Sequence, residues 1–141
     1  MVYLAPNIQT CLWEVFGDDV FQNERMIALS RWEGRCVSQV VVPELRVCAL
    51  SLERTRSAMG VDKSSLLGAD LSVPQAWGLA IQRHQADFEA IKYTSRFVDR
   101  PCLVLFDQDG LARRLTVRRL GSLDLSNEAV NWLHAEKAAL V

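Results

Sequence analysis

The sequence lacks an excess of charge of either sign, and it lacks a long apolar run. Sixteen Lys and Arg residues face seventeen Asp and Glu residues, giving a formal net charge of −1. This balance argues against a general affinity for nucleic acid or for anionic membranes, which needs clustered basic residues. No apolar run reaches the roughly 18 residues that a membrane span requires. Residues 1–6 lack the basic start of a signal peptide, so the sequence predicts a cytoplasmic protein.

Metal-binding and common catalytic motifs are also missing. The chain has two histidines and four cysteines, and the cysteines are widely spaced without a CxxC pair. This excludes a zinc site and predicts that no metal is bound. We expect all four cysteines to be small buried hydrophobes in a reducing compartment: Cys11, Cys36, Cys48 and Cys102. The absence of GxGxxG, GxxxxGK[ST], HExxH and GxSxG removes Rossmann folds, P-loop enzymes and the common hydrolases from consideration.

What the sequence does contain is enough apolar material for a core. Half of the 141 residues are hydrophobic, and the length predicts a single domain over residues 1–141. Apolar strand candidates occur at Tyr3–Ala5, Cys36–Val42, Leu45–Leu50 and Cys102–Phe106, with helical segments between and after them. Because strands and helices do not alternate regularly, the order favours an α+β fold over a doubly wound sheet.

Two local patterns make more specific predictions. Asn7 is a plausible N-cap for a helix that Gly17 would end, and Glu14 falls away from the centre of its apolar face. Glu14 should therefore point to solvent or into a cleft, and a solvated surface role is the commoner of the two. Near the other end, an Asp-Gly turn at Asp107–Gly110 predicts a hairpin whose return strand is Leu111–Leu120.

Polar residues also gather where one strand ends. The segment Tyr93–Arg96 places hydroxyls and a guanidinium beside a loop that is broken by Pro101. Side chains at such a position can be held in fixed orientations facing a cleft, although an ordinary solvated turn has the same composition.

At this point the chain resembles the RES-domain family. The segment from Tyr3 to Phe16 is similar to the family's Y-L-A…T-A-L-x-E-x-F pattern. The segment Ala90–Arg96 is similar to its G-I-x-Y-x-S-R pattern, with Ala90 in place of the glycine, and an apolar strand ending in Phe106 follows as in the family. The likeness extends roughly from Tyr3 to Phe106. Each motif is short, and their order and spacing give the match its specificity.

The resemblance implies a fold and a function. RES domains resemble ADP-ribosyltransferases, with a mixed β-sheet core and flanking helices. They are the toxins of bacterial toxin–antitoxin systems and consume NAD by splitting the nicotinamide–ribose bond with water or phosphate. By resemblance, Tyr3 would lie against the nicotinamide or its ribose, and Glu14 would hold the ribose hydroxyls and stabilise the charged sugar. Ser95 would orient the dinucleotide, and Arg96 would contact its phosphates.

The sequence departs from the family at its start. The family's essential arginine lies on a strand before the Tyr-Leu-Ala segment, and this chain begins two residues before Tyr3. We therefore expect an N-terminally truncated RES domain without that strand. This leaves open whether the chain is an NAD glycohydrolase or phosphorylase, or a catalytically impaired module. Such a module would act through self-association or through binding a helix-turn-helix antitoxin. Transfer of ADP-ribose to a protein is a third hypothesis.

Overall fold

A computed structural model describes residues 1–68, 70–108 and 110–141. Within these residues the chain alternates irregularly between short strands and helices. The strands are β1 (Val2–Leu4), β2 (Met26–Ile27), β3 (Cys36–Val41), β4 (Val47–Ala49), β5 (Ala90–Thr94), β6 (Pro101–Leu105), β7 (Thr116–Ser122) and β8 (Ala139–Leu140). The helices are α1 (Ile8–Gln22), α2 (Leu29–Trp32), α3 (Glu53–Met59), α4 (Lys63–Leu67), α5 (Ser72–Gln82), α6 (Leu111–Arg114) and α7 (Asn127–Glu136). The α+β class is therefore confirmed.

The chain divides into two compact units. The first unit contains Met1–Ala5 and Val42–Leu115, and the second contains Pro6–Val41 and Thr116–Val141. No helix of the described residues combines the length and the apolar character that a membrane crossing needs.

The first unit is built on a four-stranded mixed sheet in the order β1-β6-β5-β4. Strand β6 runs antiparallel to both β1 and β5. Strands β4 and β5 are parallel and are joined through α3, α4 and α5. Successive residues of a strand point to opposite faces of a sheet. In this sheet they belong alternately to two separate apolar clusters, so both faces are covered. One cluster contains Cys48, Leu50, Ile81, Ile91 and Phe106, and the other contains Ala90, Leu105 and Leu111.

The second unit is held together by aromatic packing between helices. Its buried cluster combines residues of α1, α2 and α7 with one from β2 and one from the short 3-10 turn after β7: Leu12, Phe16, Val20, Ile27, Trp32, Leu123, Ala129 and Trp132. Strands β3 and β7 form an antiparallel two-stranded ribbon with a register shift between Val37 and Ser38. The short strands β2 and β8 pair in parallel.

Two sequence predictions about local structure are wrong, and a third falls partly on a residue outside the described ones. Helix α1 does not end at Gly17, which is buried inside the helix, and the last turn extends to Gln22. The expected return strand does not form over its first residues, because Leu111–Arg114 is helical and β7 pairs with β3 rather than with β6. The predicted turn at Asp107–Gly110 includes residue 109, which lies outside the described residues.

The cysteine prediction is half right. Cys48 and Cys102 are buried, as expected, but Cys11 and Cys36 are exposed. The exposed pair differs because Cys11 lies off the buried face of α1 and Cys36 begins the exposed ribbon. Burial raises the pKa of the Cys48 thiol, so this side chain behaves as a neutral hydrophobe.

Candidate functional site

Ser95 lies directly after β5 and closes a short loop with its side chain. Its backbone N–H donates to the carbonyl of Arg100 at 2.9 Å, which extends the pairing of β5 with β6 by one step. Its hydroxyl oxygen accepts hydrogen bonds from the backbone N–H groups of Phe97 at 3.2 Å and Val98 at 3.3 Å. The residue is only 4% exposed. The Ser95 oxygen is therefore engaged in fixing the loop backbone, in the manner of a Ser/Thr turn.

Arg96 is the next residue, and its guanidinium packs on an aromatic ring. The central carbon of the guanidinium lies 4.6 Å from the centroid of the Phe97 ring. Both side chains are half-buried. A cation held over an aromatic face is attracted by the ring quadrupole, and a planar guanidinium is suited to phosphate oxygens. Sequence reasoning missed Phe97, although an aromatic residue next to an arginine in a loop was a usable signal.

Tyr3 lies on the same sheet but at its edge. It sits in β1 opposite Val104 of β6, and its side chain is 63% exposed. Val104 in turn lies opposite Ile91 of β5, so Tyr3 and Ile91 are on the same face of the sheet. Ser95 lies four residues after Ile91, directly beyond the end of β5. Strand spacing and rise place the Cα atoms of Tyr3 and Ser95 roughly 16 Å apart. A ligand that touches both must therefore be extended.

Glu14 belongs to α1, in the second unit, whereas Tyr3, Ser95 and Arg96 are carried by the first. Its side chain is half-buried, and its helical neighbours Thr10 and Gly17 are buried. Residues four before and three after a position lie on the same side of a helix. Its other two neighbours on that side, Cys11 and Asp18, are exposed, so Glu14 lies at the edge of the buried face of α1. The start of α1 is fixed by Asn7, whose side-chain oxygen accepts from the Thr10 N–H at 2.8 Å.

A charged cluster lies at the end of β5 opposite to Ser95. The carboxylate of Glu89 accepts from the Arg46 backbone N–H at 3.0 Å and pairs with Arg114. The Arg46 amide first, and the Arg114 side chain second, hold the pKa of Glu89 below its ordinary value. Glu89 precedes the strand that Ser95 follows, so these residues are roughly 20 Å apart along an extended chain. The cluster therefore anchors β4 and β5 and is not part of the candidate site.

Among the residues that the structure describes, no group of three or more His, Cys, Asp or Glu side chains could hold a metal ion. A groove of about 300 Å³ lies between α1 and α7 in the second unit, and none of the four predicted site residues lines it. Its walls are Gln9, Trp13, Asn131, Trp132, Ala135 and Glu136.

Comparison with known proteins supplies the family. The sequence model of the RES domain family matches residues 1–126. This range includes all four predicted site residues and parts of both compact units. No curated protein and no solved structure matches the chain. Since the family model covers most of the sequence, the chain belongs to the RES domain family.

Proposed function

We propose that this RES domain binds NAD and cleaves its nicotinamide–ribose bond, with water or phosphate as the acceptor. The observation that carries the proposal is the RES family match over residues 1–126. Tyr3, Glu14, Ser95 and Arg96 lie within that range, and the resemblance of the segments around them to the family's motifs suggests their roles. An ADP-ribosyltransferase-like arrangement of the mixed sheet and its flanking helices is part of the same proposal.

The chemistry explains why these residue types are suitable. When the C1′–N bond of NAD breaks, its electron pair goes to the positively charged nicotinamide ring, which leaves as a neutral molecule. No strong general acid is needed, and the positive charge develops on the ribose, as in glycoside cleavage. A carboxylate beside that sugar stabilises the charge, and the proposal assigns this role to Glu14. An acceptor oxygen then bonds to C1′, and when water is the acceptor it loses a proton.

The remaining residues would bind the two ends of the dinucleotide. Tyr3 offers an exposed aromatic surface for the nicotinamide or its ribose. Arg96 offers a guanidinium for the phosphates, and Ser95 helps to orient the ligand. The roughly 16 Å between Tyr3 and Ser95, estimated from strand geometry, suits an extended ligand with a pyrophosphate between its bases.

The direct test is release of nicotinamide from NAD by the purified chain, with and without phosphate. Glu14→Gln keeps the size of the side chain and removes its charge, so we expect at least a hundredfold loss of kcat, comparable to losing one transition-state contact of about 3 kcal/mol. Glu33→Gln, an exposed change in the same unit, is the matched control and should retain activity. Absence of nicotinamide release by the wild-type chain at high concentration would show the proposal to be wrong and would favour a non-catalytic module.

The proposal also includes a partner protein and a cellular compartment. A toxin that consumes NAD must be restrained in its host, and the resemblance to the RES family suggests a helix-turn-helix antitoxin that blocks the proposed NAD site. Both would act in the bacterial cytoplasm, where NAD is available. Co-expression of the two proteins should suppress the growth defect and the fall in cellular NAD that the RES chain causes alone, and an unchanged growth defect would contradict the pairing.

A further inference from the structure

The groove between α1 and α7 is a candidate binding site that none of the four predicted site residues lines. We propose that it binds a neutral, planar nitrogen heterocycle that carries an amino group and has the size of one nucleobase. The wall that α7 contributes begins after residue 126, where the match to the RES family ends. The inference therefore goes beyond the proposed function and does not depend on it.

A buried hydrogen-bond donor on the groove wall is the first observation behind this proposal. Trp132 lines the groove and is 4% exposed, and no atom of the described residues accepts a hydrogen bond from its Nε1. Native structures leave few buried donors unsatisfied, and each one that remains calls for a physical explanation, such as a bound water or another group. An acceptor atom of a ligand in the groove would satisfy this donor. Because the nitrogen is shielded from solvent, a side chain next to it must move first.

Trp13 is the side chain whose movement the proposal requires. Its ring meets that of Trp132 edge to face, with centroids 5.4 Å apart. It also stacks on Phe21, with centroids 5.4 Å apart and planes at 25°, and Phe21 is 64% exposed. Because Trp13 packs at the margin of the buried cluster and rests on an exposed ring, its indole can rotate while the cluster stays closed. The rotated indole then offers a flat aromatic surface to the heterocycle.

Polar wall residues define what the rest of the ligand must carry. Gln9 and Asn131 are exposed carboxamides, which both donate and accept, and Glu136 carries a carboxylate, which only accepts. Glu136 follows Trp132 by four residues, so the two side chains lie on the same side of α7, roughly 6 Å apart at Cβ. A ring nitrogen that faces Trp132 and an amino group that faces Glu136 fit that spacing.

Charge and volume exclude other classes of ligand. Of the six described residues that form the walls, only Glu136 is charged, so a phosphate group would meet a negative charge there and no compensating cation among them. The groove of about 300 Å³ lies at the lower end of the range for small-molecule sites, which suits one ring system and not a dinucleotide. Ala135 provides part of this space, because its side chain is a single methyl group.

Calorimetric titration of the full chain with adenine and with purine tests the class of ligand. Adenine should bind, and purine, which lacks the amino group, should bind at least tenfold more weakly because the contact to Glu136 is lost. Glu136→Ala should remove that difference between the two probes. Purine that binds the wild-type chain as tightly as adenine would show that no amino group is recognised and would overturn the proposal.

Substitutions on α7 show whether adenine binds in the groove. Ala135→Leu fills the groove and should abolish adenine binding, whereas His134→Leu, an exposed change outside the groove walls, should retain it. Trp132→Phe keeps an aromatic ring without the donor, so we expect at least tenfold weaker binding with a Tm no lower than that of the wild type. Adenine binding that persists in Ala135→Leu would place the ligand elsewhere and would contradict the proposal.

The indole N–H signal of Trp132 gives a readout that affinity alone does not. It is identified in an N–H correlation NMR spectrum by its absence from Trp132→Phe, and adenine should move it downfield as the hydrogen bond forms. An unmoved signal with adenine bound would show that the ligand does not reach the donor. No adenine binding by the wild-type chain up to about 5 mM would leave a buried water only as the partner of this nitrogen, and either result would refute the proposal.

Discussion

The indole of Trp132 provides a demanding test of how the second unit is packed. Trp132 is 4% exposed in the aromatic cluster, and its Nε1 is shielded from solvent. Among the described residues, no atom accepts a hydrogen bond from this nitrogen. Its ring meets that of Trp13 edge to face, with centroids 5.4 Å apart and planes at 86°. Two opposing effects therefore follow when tryptophan is replaced by phenylalanine.

The second effect is at least as large as the first. Trp132→Phe removes about 40 Å² of buried apolar surface, which costs about 1 kcal/mol. It also removes a buried donor without a partner, a group that costs about 1–3 kcal/mol to bury. We expect the free energy of unfolding to lie between the wild-type value and about 2 kcal/mol above it, a rise of at most roughly 6–10 °C in Tm. Trp132→Ala should lose about 3–5 kcal/mol, because it leaves a cavity.

Trp32→Phe is the matched control. Trp32 is 2% exposed in the same cluster. Unlike Trp132, it does not leave a buried indole nitrogen unsatisfied. The same reduction in volume at this position should therefore cost more than Trp132→Phe, by about 1–3 kcal/mol. Urea unfolding followed by circular dichroism measures both values. Equal costs for the two changes, or a loss above about 2 kcal/mol for Trp132→Phe, would refute the reasoning.

Two further predictions concern a charged pair and two glycines. The pKa of Glu89 is lower in the folded state than its ordinary value. Its pairing therefore stabilises the protein at pH values above the ordinary pKa of a glutamate, and this stabilisation is lost as the pH falls through the lowered pKa. Arg114→Ala should flatten the decline in urea midpoint between about pH 5 and pH 3, and the exposed Arg113→Ala should not. Gly60 has φ +69 after α3, so Gly60→Ala should cost about 1 kcal/mol. Gly78 lies inside α5 with open space at its Cβ position, so Gly78→Ala should stabilise the protein by about 0.5–1 kcal/mol. A lower Tm for Gly78→Ala than for Gly60→Ala would contradict this backbone argument.

The sequence predicted elements that depend on local signals. The apolar run of β3 and the cap that Asn7 gives to α1 both follow from residues within a few positions of each other. The α+β class followed from their order along the chain. These signals act before any tertiary contact forms, so composition and spacing are enough to find them.

Predictions failed where distant parts of the chain decide the outcome. Gly17 is a local stop signal, but its position is buried in α1, where packing outweighs propensity. The Asp-Gly signal suggested a hairpin, yet β7 pairs with β3, which lies about 80 residues earlier. The pairing of Glu89 with Arg114 and the arrangement of Ser95, Phe97 and Arg96 depend on side-chain geometry that no spacing rule encodes.

The central claim is that this RES domain cleaves NAD with the help of Glu14. The measurement that tests it most directly is nicotinamide release from NAD by the purified wild-type chain, compared with Glu14→Gln at equal folded concentration. The account predicts turnover by the wild-type chain and at least a hundredfold loss in the variant, with the thermal midpoint of unfolding little changed. Equal release by both proteins would contradict the role of Glu14, and no release by either would contradict the activity itself.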